Sequence, residues 1–297
     1  MVDSYTRSDI ENISMDILKQ SKAIDIFPTP VDQIVHFSDL VFEGRIDLIH
    51  VEDSFLSKLS DNFASFWKQV RGFLDRSEKT IYVDPSQLPS RQNFVKLHEV
   101  GHHILPWQRE TMQYIDNEDT LSYQTKIDFE AEANYFSSLT LFRHDRFISE
   151  MDKLELSLKA GMALSKKFGG SVHAALRRMV EQSPKRCALL VLEKFTDVPK
   201  NLPQCGKRDL FQSDAFTADF GELVLPDQFG YTWAFAKDYI FKKKFREDGT
   251  INLPTPGGML DFNYHFFDNN YNAFVFLFPN GEINKSKTKI IMSRSTF

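Results

Sequence analysis

Two histidines lie four residues apart, with a glutamate between them, in the stretch FVKLHEVGHHILPW at residues 94–107. On an α-helix, residues four apart share one face with Cβ atoms about 5–6 Å apart, so the imidazoles of His98 and His102 can converge on one metal ion. Apolar residues at helical spacing border this pair and predict a buried stripe on the same helix: Phe94, Leu97, Gly101, Ile104 and Leu105. The spacing therefore predicts a metal site beside a buried helix face.

Glu99 directly follows His98 and points about 100° away from it around the helix. A carboxylate at that place can accept a proton from water that attacks a carbonyl carbon, the role of the glutamate in the HExxH pattern of metallopeptidases. Gly101 costs up to about 1 kcal/mol relative to alanine in a helix interior, which indicates that another group approaches closely there. The competing interpretation is a chance pattern on a surface helix.

A catalytic zinc site needs a third protein ligand and keeps its fourth position open. The predicted helix KIDFEAEANYFSSLTLF at residues 126–142 offers Glu130 and Glu132. These two lie about 200° apart around a helix, so only one of them can face the histidines. Asn134 lies one turn beyond Glu130 and could orient it by a hydrogen bond, whereas Phe136 occupies that place for Glu132. We therefore predict Glu130 as the ligand and Glu132 as an ordinary exposed acid.

Other polar residues near these motifs have roles that the spacing does not assign. His103 lies about 100° from His102 and is not expected to reach the same ion. Peptide hydrolysis also needs a group that stabilises negative charge on the substrate oxygen. Tyr82, Tyr123 and Tyr135 are all candidates for it, and the sequence does not choose between them.

The elements around these motifs are predominantly helical up to about residue 181. Periodicity predicts helices at residues 8–23, 91–105, 126–142 and within 152–181, and a helical stretch at 54–74. Short runs of β-branched and aromatic residues predict strands at 46–51 and 79–84. Residues 108–125 are polar enough for a surface loop or a short helix.

The composition changes after about residue 191, where aromatic residues alternate with turn-forming ones. The stretches GYTWAFAKDYIF at 230–241 and NNYNAFVFLFPNG at 269–281 favour aromatic-rich strands, and LPTPGGMLDF at 253–262 favours a flexible loop. We predict an α+β chain with a mostly helical domain at residues 1–190. A β-rich domain at 195–297 would sense a ligand or recognise a partner.

Composition argues against several classes of protein. The net charge of −5 and pI of about 5.9 give no basic surface for nucleic acid, so direct nucleic-acid binding is not expected. Charged residues interrupt the first thirty positions, and no apolar run reaches the length of a membrane span, so neither a secretory signal nor a membrane anchor is expected. Two cysteines alone suggest a reduced, cytoplasmic protein.

The order of motifs resembles the ImmA/IrrE family of zinc metallopeptidases. A strand IYVD precedes the helix FVKLHEVGHHIL, and the helix EAEANYFSSLTL follows. The upstream FPTPVDQIVHF and the later ALSKKFGGSVHAALRRM also fit, so the resemblance covers roughly residues 5–185. The sequence departs from the family where Phe142-Arg143 replaces the Met-Pro pair of many members, and no helix-turn-helix segment is evident.

The resemblance implies that the helical domain is a zincin-like catalytic domain with a small sheet. It also implies a gluzincin-like HExxH protease with one zinc ion, Zn2+. His98, His102 and Glu130 would be the metal ligands and Glu99 the general base. The implied activity is cleavage of one intracellular partner protein, such as a DNA-binding repressor in stress or mobile-element regulation. The alternative is a non-catalytic regulatory module that binds proteins and retains the zinc site.

Overall fold

The structure is a computed structural model that describes residues 2–44, 72–113, 122–194 and 203–282 of the 297-residue chain. The chain divides into two compact units. Residues 1–150 and 163–174 form the helical unit, and residues 151–162 and 175–297 form the sheet unit. The predicted domain limits at residues 190 and 195 stay a prediction. None of the helices within the described ranges is long and apolar enough to cross a membrane.

The fold is α+β, as predicted, and the described residues up to 182 are mainly helical. Its elements there are α1 (Ser4–Gln20), α2 (Val31–Phe37), β1 (Val41–Glu43), β2 (Gly72–Asp75), β3 (Thr80–Val83), α3 (Pro89–Ile104), α4 (Pro106–Gln113), α5 (Tyr123–Phe142), α6 (Asp145–Met151), α7 (Leu158–Phe168) and α8 (Val172–Gln182). The predicted helices at 91–105 and 126–142 are α3 and α5, and the predicted strand at 79–84 is β3. The predicted strand at 46–51 lies outside the described residues, as does the predicted helix at 54–74 except for its last three residues.

Those three residues were predicted as the end of a helix, and that prediction is wrong because they belong to β2. In β2, Phe73 lies opposite Tyr82 of β3, with the ring centroids 4.8 Å apart. Gly72 packs so closely on α3 that an added Cβ would lie 2.2 Å from Cγ1 of Val95. Pairing with β3 and contact with α3 therefore override the local helical pattern.

The small sheet forms one wall beside α3. Its strand order is β1-β3-β2, with β1 parallel and β2 antiparallel to β3. Ile81 and Val83 of β3 are buried, whereas Tyr82 between them is partly exposed. This alternation is typical of a sheet that buries one face, and α3 packs against both β2 and β3.

Helix α5 packs against both α3 and α1. Ala133 and Phe136 are fully buried on α5. The hydroxyl groups of Ser14 on α1 and Thr140 on α5 are also fully buried, and they lie 2.8 Å apart in a hydrogen bond. The polar groups between α1 and α5 are thus paired with each other, as burial requires.

Arg143 ends α5 in a left-handed conformation, with φ at 54°. Its side chain is only 1% exposed, and its guanidinium group donates to the carbonyl oxygens of Ile24 and Ile26 and to Oγ1 of Thr29. The same group lies 4.3 Å from the ring centroid of Phe27. At the position where the sequence departs from the family pattern, Arg143 therefore binds the segment between α1 and α2.

The sheet unit contains a six-stranded antiparallel sheet, which confirms the predicted β-rich character of the C-terminal part. The strand order is β6-β5-β4-β9-β8-β7. The elements are β4 (Ala188–Leu192), β5 (Cys205–Gln212), α9 (Asp214–Phe220), β6 (Gln228–Phe229), α10 (Ala234–Ile240), β7 (Phe245–Thr255), β8 (Gly258–Asp268) and β9 (Ala273–Pro279). Residues at every second position of β4, β8 and β9 join one hydrophobic core with side chains of α9 and α10.

Two local predictions for this unit are wrong. Part of the stretch at 230–241 is helix α10 rather than a strand, because Phe235 and Tyr239 are one helical turn apart and both enter the core. The supposed loop at 253–262 is the end of the β7–β8 hairpin, in which Leu253 pairs with Leu260 and Thr255 with Gly258. Strand pairing orders this Gly- and Pro-rich segment.

Candidate metal centre

Three predicted ligands converge in the helical unit. The Nε2 atoms of His98 and His102 lie 3.0 Å apart. Oε2 of Glu130 lies 3.1 Å from Nε2 of His98, and its Oε1 lies 3.4 Å from Nε2 of His102. Helix α3 supplies both histidines and α5 supplies the glutamate, so packing of these two helices builds the cluster.

This cluster fits a zinc ion in composition and in size. Two imidazole nitrogens and one carboxylate oxygen are a donor set of catalytic zinc sites. Ligand atoms about 2.0–2.1 Å from one tetrahedral ion lie about 3.3 Å from each other. The two Nε2 atoms are 3.0 Å apart, and they lie 3.1 Å and 3.4 Å from the two different carboxylate oxygens of Glu130. In the part of the chain that the structure describes, these residues are the one group of three or more metal-binding side chains close enough to hold an ion.

Burial and charge pairing determine the protonation of the cluster. Burial opposes the charge on Glu130, but its hydrogen bonds with His102 and His98 outweigh this effect and lower its pKa to about 2. Burial also disfavours the charged form of His102, but the interaction with Glu130 dominates and raises its pKa to about 9. Without metal, the cluster therefore holds a proton on His102 at neutral pH.

Glu99 lies on the same helix and is 7% exposed, and His98 is 2% exposed. This burial argues against the interpretation of the motif as a chance pattern on a surface helix. Burial raises the pKa of the Glu99 carboxyl group, although the nearby imidazoles of His98 and His102 partly offset the effect. A carboxyl group with a raised pKa is suited to proton transfer near neutral pH.

A hydrogen-bonded chain of side chains extends from the cluster. Gln108 of α4 is fully buried, and its Oε1 lies 2.7 Å from Nδ1 of His102. Its Nε2 donates to Oε2 of Glu132 at 2.6 Å, and Nε1 of Trp107 donates to the same oxygen at 2.7 Å. The prediction of Glu132 as an ordinary exposed acid is therefore wrong, because this carboxylate holds α4 to α5.

The sequence contains little that would have identified this hydrogen-bonded network of side chains. Asn134, predicted to orient Glu130, is exposed to solvent. The polar contact of the site comes from Gln108, in a segment read from sequence as a loop or short helix. Pro106 at the start of α4 marks a helix start, but only tertiary contacts show that Gln108 faces inward.

The three tyrosines stay candidates for stabilising the substrate oxygen. Tyr82 donates a hydrogen bond to Glu78 at 2.9 Å, and Tyr135 donates to Glu11 at 2.6 Å. Tyr123 is 74% exposed at the first turn of α5. The pKa of His103 is lowered, first by burial and then by the positive charges of Arg76, Lys79 and Arg109.

Comparison with known proteins finds a family model that matches part of the chain. Residues 61–180 match the family model described as Peptidase_M78: IrrE N-terminal-like domain. This match to a metallopeptidase-type family supports the resemblance to the ImmA/IrrE family for these residues.

Matches to whole proteins are weaker. No curated protein matches the chain at a significant level. A solved structure described as a Mycobacterium tuberculosis transcriptional regulator aligns with this protein. The alignment covers 91% of this chain and 75% of the regulator's chain. The sequence identity is 13% and the TM-score is 0.49, and no functional statement follows from a similarity at this level.

Proposed function

We propose that the protein is a zinc-dependent endopeptidase that cleaves one specific intracellular protein, a transcriptional repressor or another regulatory partner. The observation that carries this proposal is the convergence of His98, His102 and Glu130 beside the buried Glu99 within an IrrE N-terminal-like domain. The regulatory nature of the substrate is suggested by the family resemblance. The two cysteines are free and buried, which fits a reducing compartment.

In this proposal the chain itself supplies the proton transfers. A zinc ion held by His98, His102 and Glu130 would supply a Lewis acid that polarises the carbonyl group of the scissile peptide bond. Glu99 accepts a proton from the attacking water and delivers it to the leaving amide nitrogen, so one carboxyl group acts first as base and then as acid. The raised pKa of Glu99 supports this double role, since the group must hold the proton between the two steps.

The variant Glu99→Gln tests the mechanism and gives access to the substrate. The amide keeps the shape of the side chain but cannot accept the proton, so we expect zinc binding without peptide hydrolysis. Proteins that co-purify with this variant would be identified by mass spectrometry and then incubated with the wild-type protein. Glu110→Gln, which changes an exposed acid on α4, is the matched control and should cleave normally.

Two results would contradict the proposal. Cleavage by Glu99→Gln at a near-normal rate would remove this residue from the mechanism. A partner that binds tightly but stays intact with zinc-loaded wild-type protein would favour the alternative, a non-catalytic regulatory protein-binding module.

We also propose that residues 195–297 recognise the partner or sense a ligand, while the chemistry belongs to residues 1–190. A photo-crosslinking amino acid at Phe241 or Tyr271, which are 73% and 65% exposed, should capture the substrate of the Glu99→Gln variant. The same amino acid at Tyr5, which is 77% exposed on α1, is the control. Crosslinking from Tyr5 alone would contradict a recognition role for the C-terminal part.

A further inference from the structure

The hydrogen bonds of Gln108 determine which way its amide group faces. Nε2 of Gln108 lies 3.1 Å from the carbonyl oxygen of Phe129 and 2.6 Å from Oε2 of Glu132. A carbonyl oxygen and an ionised carboxylate only accept hydrogen bonds, so both must face the NH2 group of the amide. The amide oxygen of Gln108 must then face Nδ1 of His102, at 2.7 Å.

This orientation selects the proton position on His102. An amide oxygen cannot donate a hydrogen bond, so Nδ1 of His102 must carry the proton. Nε2 of His102, which lies beside Glu130 and His98, is then the nitrogen available to a metal ion. We propose that Gln108 and Glu132 are positioning residues that keep the proton on Nδ1 of His102 and so present Nε2 to the metal. This inference rests on the proposed function, because it concerns the same zinc site.

Glu132 holds Gln108 in place through its charge and its second donor. Its Oε2 accepts hydrogen bonds from Trp107 at 2.7 Å and from Gln108 at 2.6 Å, and both donors lie on α4. Hydrogen bonds to an ionised acceptor are stronger than those between neutral groups. A rotated amide at Gln108 would turn its oxygen towards this carboxylate and towards the carbonyl of Phe129, which both repel it.

The network acts on only one of the two histidines. Nδ1 of His98 is buried and has no hydrogen-bond partner among the residues that the structure describes. His98 therefore serves as an internal reference, since changes at Gln108 or Glu132 should alter the ring nitrogens of His102 and leave those of His98 unchanged.

Zinc affinity of full-length variants, measured by competition with a chromophoric chelator, tests the assignment. Gln108→Leu removes the acceptor and should lower the affinity by about 10–100-fold, the usual effect of losing such an outer partner. Gln108→Glu places a carboxylate against Glu132 and should also weaken binding. Asp128→Asn, an exposed acid on α5, is the control and should bind as wild type.

Wild-type affinity in Gln108→Leu would overturn the inference. Melting temperatures without metal separate a loss of positioning from a loss of folding. If the variants do not fold, 15N NMR of the metal-free wild-type protein, at a pH high enough for His102 to carry a single proton, decides: a proton on Nδ1 of His102 supports the inference, and a proton on Nε2 overturns it. Failure of the wild-type protein to bind zinc would instead contradict the proposed function, and the metal-free NMR result would still decide the hydrogen bond.

Discussion

Gly101 on α3 faces Phe136 on α5 so closely that a Cβ added to the glycine would lie 3.0 Å from Cδ1 of the phenylalanine. The same atom would lie 3.4 Å from Cα of Ala133. The sequence predicts that another group lies close to Gly101, and in the structure that group is helix α5. Because Glu130 lies one turn before Ala133, this contact brings the acid of one helix to the histidines of the other.

We predict that Gly101→Ala weakens zinc binding and lowers the free energy of unfolding by about 1 kcal/mol. Overpacking costs about 1–3 kcal/mol, and the better helix propensity of alanine returns up to about 1 kcal/mol. Urea unfolding without metal and a zinc competition assay measure the two effects. In combination with Phe136→Leu the effects should be less than additive, because the smaller side chain makes room. A stabilised single variant with unchanged zinc affinity would contradict the prediction.

Replacement of Glu130 and of Glu132 on α5 should give unequal losses of zinc. Glu130→Ala removes a ligand and should abolish stoichiometric binding, as should His98→Ala. Glu132→Ala leaves all three ligands in place and should cost only about 10–100-fold in affinity. Metal content after dialysis against a zinc buffer measures both. Loss of zinc from Glu132→Ala with retention in Glu130→Ala would reverse the ligand assignment.

Zinc binding should release a proton at neutral pH. The pKa of His102 in the metal-free protein is raised to about 9, and that of Glu130 is lowered to about 2. The metal must therefore displace a proton from His102, while Glu130 is already ionised. The affinity should rise with pH up to about 9 and then level off. Calorimetry in two buffers of different ionisation enthalpy should detect about one proton per zinc ion, and a pH-independent affinity over this range would refute the prediction.

Arg143→Lys should destabilise the protein by about 2–4 kcal/mol, although the charge is kept. A lysine ammonium group cannot reach both carbonyl oxygens and the threonine hydroxyl that the buried guanidinium binds, so buried acceptors lose their donors. Chemical denaturation measures the loss. Arg146→Lys, at an arginine whose side chain is 48% exposed and paired with Asp25, is the control and should change stability by less than about 0.5 kcal/mol. Equal effects at the two positions would show that the buried contacts of Arg143 contribute little.

Much of the metal cluster could be predicted from sequence because helix periodicity is a local property. His98 and His102 meet because they are four residues apart on one helix. The angle between Glu130 and Glu132 predicts that only one of them can face the histidines, and the structure places Glu130 against them. The choice of Glu130 rests on Asn134 as a partner, and that reason is wrong, since Asn134 is exposed and the observed hydrogen bond to the cluster comes from Gln108.

The errors share one physical origin, which is contact between segments distant in sequence. β2 was mistaken for a helix end because its partner strand and α3 decide its conformation. Helix α10 was mistaken for a strand because aromatic side chains suit either element until the core they enter is known. The role of Glu132 depends on Trp107 and Gln108, which lie 25 and 24 residues away.

The corner between α3 and α4 limits how this site can evolve. Helix α3 ends at Ile104, Leu105 is extended and α4 starts at Pro106, so His102 and Gln108 keep a spacing of six residues across the corner. One inserted residue in α4 before Gln108 would turn its side chain by about 100° around the helix axis. Insertions and deletions should therefore be absent from this segment in homologous proteins that retain the network. Substitutions at positions 108 and 132 should occur together, because either change alone leaves a mismatched hydrogen-bond pair.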